Sequence, residues 1–205
     1  GSGGIATVSQ LRQRHLGAAL GLRPPKGQHS PAEAEALVRH AAGRRAVVEI
    51  GVAEGVSAAI LRSAIAADGT LWLIDPYRGR YGLSVARVVA ARTVARSEGT
   101  RDVRWVRRYS TEAGPGWSDS LDFVFIDGDH SEAVCDQDWQ SFSPHVIVGG
   151  RVAFHDSAVY EGGHTDNAWG PVRVCNRYFR DPESKLPNWR VVEEVDSLTI
   201  VERWR

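Results

Sequence analysis

"VVEIGVAEGVS", Val47 to Ser57, decides how the rest of the chain reads. Val47-Val48-Glu49-Ile50 is too short for a helix and β-branched at three of its four positions, which marks a buried strand. Gly51 and Gly55 bracket a turn, where glycine accepts backbone angles and close approaches that other residues resist. "VSAAILRSAIAADG" (56–69) then reads as a helix ending at Asp68-Gly69. Strand, glycine turn and helix make half of a βαβ unit, and the pattern recurs along the chain.

Working outward, strands are expected at "AVVEIG" (46–51), "TLWLIDP" (70–76), "VRWVR" (103–107), "LDFVFID" (121–127) and "RVAFHD" (151–156). Helices are expected between them, including "LSVARVVAARTVARSEG" (83–99) with Val85, Val88 and Val89 on one face, "EAVCDQDWQSF" (132–142), and one starting at Pro171. Residues 5–29 read as a helix and a Gly/Pro-rich connector. "SPAEAEALVRHAAG" (30–43) follows, with Ser30 as N-cap, Pro31 at the first helical position and Glu33 completing a capping box. "WRVVEEV" and "LTIVERW" close the chain as strands joined at Asp196-Ser197, and so should pair antiparallel. Alternating strands and helices imply a doubly wound, mostly parallel α/β sheet with helices on both faces. Residues 5–43 are expected to form a helical segment packed on one domain spanning 44–205.

In such sheets ligands bind outside the carboxyl ends of the strands. Those ends read "EIGVAEG", "IDPY", "RRYS", "IDGDH" and "FHDS", and four of the five carry an acid. The dinucleotide fingerprint G-x-G-x-x-G needs glycine at position 53, where Ala53 stands, and bulky Val56 follows directly. A dehydrogenase is disfavoured for want of that glycine. Asp75 ends the next strand, roughly 20 residues on, the usual place for a carboxylate that grips ribose hydroxyls. An adenosine-type ligand without the strict diphosphate loop is the expectation.

Composition narrows the partners. Apolar residues make up 42 % and charged residues 24 %, with 25 basic against 25 acidic side chains, so no global field favours nucleic acid or an anionic membrane. Cys135 and Cys175 match no metal or redox spacing, which points to a reducing cytoplasm. No apolar run approaches the roughly 20 residues of a membrane helix, and no secretory signal is seen; "GSGG" (1–4) reads as an appended leader.

The ordered set E-x-G-x-x-x-G-x-S (49–57), "LIDPY", "FIDGDH" and "GGRVAFHDS" resembles the class I S-adenosylmethionine-dependent methyltransferases. More narrowly it resembles the small-molecule branch typified by macrocin and other sugar O-methyltransferases, which cephalosporin hydroxylase-like proteins share. The resemblance covers about residues 44–157. It implies a Rossmann-like sheet of seven strands with the last antiparallel. It also implies that Glu49, Gly51 and Gly55 line the amino-acid end of the cofactor, Asp75 holds the ribose and Ser110 sits near the adenine. Ala53, Ser57 and Asp127 complete that implied set.

Methyl transfer from a sulfonium needs proximity and a deprotonated acceptor oxygen. Catechol and caffeoyl-coenzyme A O-methyltransferases resemble this chain in placing one acid after the fourth strand and an Asp-Asn pair after the fifth. The match makes Asp127 a metal ligand, with His155 and Asp156 standing where Asp-Asn is expected. Magnesium is the expected ion and manganese the first alternative, but imidazole is uncommon on magnesium and suits manganese, iron or zinc better. His155 is then either a ligand or a base. Asp129 and His130 are the other candidate bases. Tyr160, His164 and Trp169, in the long loop 157–170, are candidate substrate contacts. His15, His29, His40 and His145 are expected to be surface or structural residues.

The expected activity is therefore methyl transfer to a hydroxyl of a small-molecule or saccharide acceptor, with no nucleic-acid or membrane partner and homo-oligomerisation left open. The competing readings are a metal-independent enzyme acting on a nitrogen or phenolic acceptor, and a non-catalytic adenosyl-binding module. The second leaves the acid cluster without a task.

Overall fold

A computed structural model describes residues 17–78, 84–184 and 186–205. Strands β1 (Ala46–Ile50), β2 (Thr70–Ile74), β3 (Asp102–Val106), β4 (Leu121–Ile126), β5 (Val146–Phe154), β6 (Trp189–Val195) and β7 (Leu198–Arg203) form one sheet. Its order is β3-β2-β1-β4-β5-β7-β6. The first five pair in parallel, and β7 runs antiparallel to both β5 and β6. The expected seven-stranded mixed sheet is what the chain forms. Helices α1 (Pro31–Ala41), α2 (Val56–Ala64), α3 (Val85–Arg96), α4 (Ser110–Ala113), α5 (Glu132–Phe142) and α6 (Gly170–Cys175) connect and flank the strands.

Successive residues of a strand face opposite sides of the sheet, and here both sides are covered. Phe123 and Phe125 of β4 join Leu37, Leu61, Leu73 and Ile200 in one core. Val124 and Ile126 join Val48, Trp139, Phe142 and Phe154 in the other. The direction of winding reverses between β1 and β4, so the ends of β1, β2, β4 and β5 face one crevice.

Two boundaries and one buried face differ from the sequence reading. Helix α2 stops at Ala64 because Ala66 and Thr70 donate backbone hydrogen bonds to Arg44 and Arg45, which turns the chain back four residues early. Strand β5 begins at Val146, running through Gly149-Gly150 with a register shift against β4. Helix α3 buries Val89, Ala90 and Val94, whereas Val85 and Val88 are exposed. Small Ala90 faces the backbone of Gly55, so the helix turns its narrow face to the sheet. The capping box of Ser30 and Glu33 forms as expected. Residues 17–19 are helical, while the rest of the expected N-terminal helix and His15 lie outside the described residues. Among the described residues no helix is long and apolar enough to cross a membrane.

Candidate active site

The crevice holds a cavity of about 460 Å³, lined among others by Gly51, Ala53, Asp75, Ser110, Asp127 and His130. That is within the range of small-ligand sites, about 300–1,000 Å³. Gly51 has φ +84°, and a Cβ there would stand 2.1 Å from the carbonyl oxygen of Asp127. Glycine is therefore what lets the β1 and β4 ends close on each other. Asp75 accepts hydrogen bonds from the backbone N–H groups of Val52 and Ala53, both at 3.1 Å, and from Tyr77 at 2.8 Å. It holds the glycine turn open while facing the cavity.

Not every expected cofactor residue reaches that cavity. Glu49 is fully buried and its Oε1 accepts a hydrogen bond from Ser57, while its other oxygen has no partner. Burial pushes its carboxyl well above the ordinary value, reinforced by Asp127 and Asp75. Glu49, Gly55 and Ser57 thus stand behind the turn rather than among the lining residues. Gln28 and Tyr109 line the cavity without having been expected there.

Beside the cavity, imidazoles and carboxylates converge on Asp127. His155 Nδ1 donates to Asp127 Oδ1 at 2.9 Å, and its Nε2 lies 3.4 Å from Glu33 Oε2. His130 Nε2 lies 3.9 Å from Asp127 Oδ1 and 3.4 Å from Asp156 Oδ2. His29 Nε2 lies 3.4 Å from Asp127 Oδ2. Burial alone would raise the Asp127 carboxyl, but His130, His155 and His29 together hold it far below the usual range. Burial alone would lower the His155 imidazole, but Asp127 and Glu33 push it up to about 10. The nearby Asp127 carboxylate outweighs burial at His130 and raises its imidazole.

His29, expected to be a surface or structural residue, is interior and packs beside Asp127 and His155. It directly precedes the Ser30 cap, so the first turn of α1 delivers both His29 and Glu33. Glu33 accepts from the N–H groups of Ser30 and Ser197 at 2.8 and 2.9 Å, which locks that turn beside β5. The connector before it is tied to the glycine turn, because Arg23 and the Lys26 N–H both donate to Glu54. No local pattern marks these long-range contacts. His40, between Glu193 and Arg151, is structural as expected.

Asp156 adopts φ +53°, a conformation that is uncommon outside glycine though Asp tolerates it better than most. Its Oδ1 accepts from Ser197 Oγ at 3.2 Å and pairs with His164 Nε2 at 2.9 Å. Trp169 packs on both His130 and His164, with ring centroids 5.1 and 5.4 Å apart. The long loop therefore folds back over the acid cluster. Gly170 makes this possible, since a Cβ there would stand 2.4 Å from the carbonyl oxygen of His130. Asp129 accepts from the Ser131 N–H at 2.7 Å, and this bonding lowers its carboxyl.

Asp138 on α5 is buried behind Gly128, with neither oxygen hydrogen-bonded. Burial pushes its carboxyl up to about 6 from 3.8, although Ser110 lies close enough to lower it somewhat. The folded state therefore holds a proton more tightly than the unfolded chain. Stability should fall as pH rises from about 4 to 6, at a cost on the order of 2–3 kcal/mol above that window. Asp138→Asn removes the ionisation. Its melting temperature relative to wild type should gain about 4–12 °C between pH 4 and pH 8. A pH-independent difference in circular-dichroism melts would remove Asp138 as the source.

A methyltransferase domain model matches residues 48–157, more than half of the chain and the segment that carries β1 to the Asp156 turn. The chain belongs to this methyltransferase family. Cofactor-bound Rv0187 from MTB superposes with a TM-score of 0.70 at 17 % identity, covering 95 % of this chain and 90 % of that one. The O-methyltransferase TomG from Streptomyces achromogenes, solved in complex with SAM, gives 0.64 at 17 %, covering 97 % and 92 %. The N-methyltransferase NodS from Bradyrhizobium japonicum gives 0.55 at 14 %, covering 95 % and 96 %. These likenesses establish the fold and leave the acceptor atom to the site itself. No curated protein matches the chain.

Proposed function

We propose that this methyltransferase moves the methyl group of S-adenosylmethionine to a hydroxyl of a sugar, glycoside or polysaccharide end, assisted by a divalent ion. One observation carries the reading: Asp127 lines the cofactor cavity and also anchors the cluster of imidazoles and carboxylates. A donor in the cavity and a hydroxyl over that cluster would share one wall. Balanced formal charge, at 25 basic and 25 acidic residues, favours a small uncharged acceptor over nucleic acid. Tyr160, His164 and Trp169 lie in the loop that would cover such an acceptor.

In the step, the acceptor oxygen bonds the methyl carbon as the sulfur–carbon bond breaks, and the hydroxyl proton passes to a base. His130 fits the base best. It lines the cavity, keeps its ring partly open to solvent and has Asp127 and Asp156 to stabilise the imidazolium that forms. Asp129 is spent on the Ser131 turn, and His155 is interior. Of the expected ligands, Asp127 and His155 lie together and are residues that would hold the ion, whereas Asp156 faces His130, His164 and Ser197. A bound divalent cation supplies Lewis acidity that makes an alcohol easier to deprotonate.

The test is methyl transfer from S-adenosylmethionine to a panel of glycosides, with and without excess chelator. Product should form with at least one hydroxyl acceptor and disappear on chelation. Full turnover in chelator would remove the ion from the mechanism, and product only from amine acceptors would overturn the hydroxyl assignment.

A further inference from the structure

We propose that His29, Asp127 and His155 form a binding site for a first-row transition ion with zinc-like preferences, so that magnesium is not this protein's resident cation. The site's role rests on the divalent-ion reading above, but its existence does not.

The donor atoms of these three side chains lie within 4.8 Å of one another, and no other such group occurs among the described residues. Ligands around one zinc at about 2.0–2.2 Å stand roughly 3–3.5 Å apart. His29 Nε2 and His155 Nδ1 lie 3.4 and 2.9 Å from the two oxygens of Asp127, so little movement is needed. The His29 and His155 side chains are 5 % and 1 % exposed. Their rings stack with centroids 4.6 Å apart, and His29 also packs on Phe125.

A purely structural ion pair accounts for less. Protonated His155 between Asp127 and Glu33 would satisfy those two carboxylates, yet both ring nitrogens of buried His29 have no hydrogen bond. A neutral imidazole carries one N–H and one lone pair, and an interior lone pair with no hydrogen bond calls for a group that accepts it. The surroundings of His155 point the same way. One ring nitrogen faces Asp127 and the other faces Glu33, itself fixed by Ser30 and Ser197. A carboxylate on the far nitrogen is what orients most metal-bound histidines.

Donor chemistry then selects the ion. Magnesium takes oxygen ligands and keeps several waters, whereas imidazole suits zinc, iron, copper and nickel. With two imidazoles to one carboxylate, the balance lies with the transition series. This departs from an oxygen-only set at the strand ends, because the His29 imidazole comes from the segment that leads into α1.

Chelator-stripped full-length protein should be titrated with Zn²⁺ and Mg²⁺, and its Co²⁺ form examined for visible d–d absorption. Zinc should bind at one site at least 10²-fold more tightly than magnesium. His29→Gln should weaken zinc at least 10-fold and alter the cobalt bands, with an unchanged circular-dichroism spectrum. Wild-type zinc affinity in His29→Gln, absence of saturable zinc binding, or magnesium binding as tight as zinc would each overturn the assignment. Should His29→Gln fail to fold, the wild-type ratio of zinc to magnesium affinity decides alone. Magnesium binding that restores turnover to stripped enzyme would keep the proposed function and discard this site. Tight zinc binding without methyl transfer under any metal would keep the site and discard that function.

Discussion

His130→Gln is expected to lower turnover by about 10²–10⁴-fold, the loss typical of a missing general base, while S-adenosylmethionine affinity changes little. Glutamine keeps a polar side chain of similar reach, so the loss isolates proton transfer from packing on Trp169. The two carboxylates facing His130 at 3.4 and 3.9 Å favour its protonated form, which suits a group that must hold the proton it removes. Asp129→Asn provides the contrast. That carboxylate is bonded to the Ser131 N–H and lowered by it, so it is a weak base and its replacement should cost less than about tenfold. Single-turnover rates on both variants decide the matter. A His130→Gln rate within a few-fold of wild type would return the proton to Asp129 or to metal activation alone.

Much of this arrangement was legible in the sequence, because the features that specify it are local. The apolar run Val47–Ile50 and the glycines after it fix a strand and a tight turn, and the missing glycine at 53 excludes the dinucleotide loop. Asp75, Ser110, Asp127 and His130 could be placed on the cavity because strand ends in a doubly wound sheet converge whatever the loops do. Glu49 and Ser57 were legible as a motif but not as a buried pair, since their burial depends on β4 closing over the turn at Gly51. His29 was illegible for a related reason. Its place depends on Glu54 holding Arg23 and Lys26 some 30 residues away, and on Glu33 reaching Ser197 near the far end of the chain. The buried face of α3 was misread because valine is more apolar than alanine, whereas close approach to Gly55 selects the smaller Ala90.

The Asp75 carboxylate has the largest expected effect on binding. It lines the cavity, and its two oxygens already accept three backbone N–H bonds from Val52, Ala53 and Tyr77. A carboxylate offers about four acceptor positions, which leaves room for a ribose hydroxyl. Asp75→Ala would remove that acceptor and release the turn that shapes the site. At about 1.5–3 kcal/mol for each hydrogen bond to a charged group, loss of one ribose contact and slackening of the turn should weaken affinity about 10²-fold. Calorimetric titration of S-adenosylmethionine into wild type and Asp75→Ala, each checked for cooperative thermal unfolding, is the most direct test. Saturable one-site binding by wild type, weakened about 10²-fold in the variant, is the predicted result; no binding to wild type, or matching isotherms for both proteins, would contradict it.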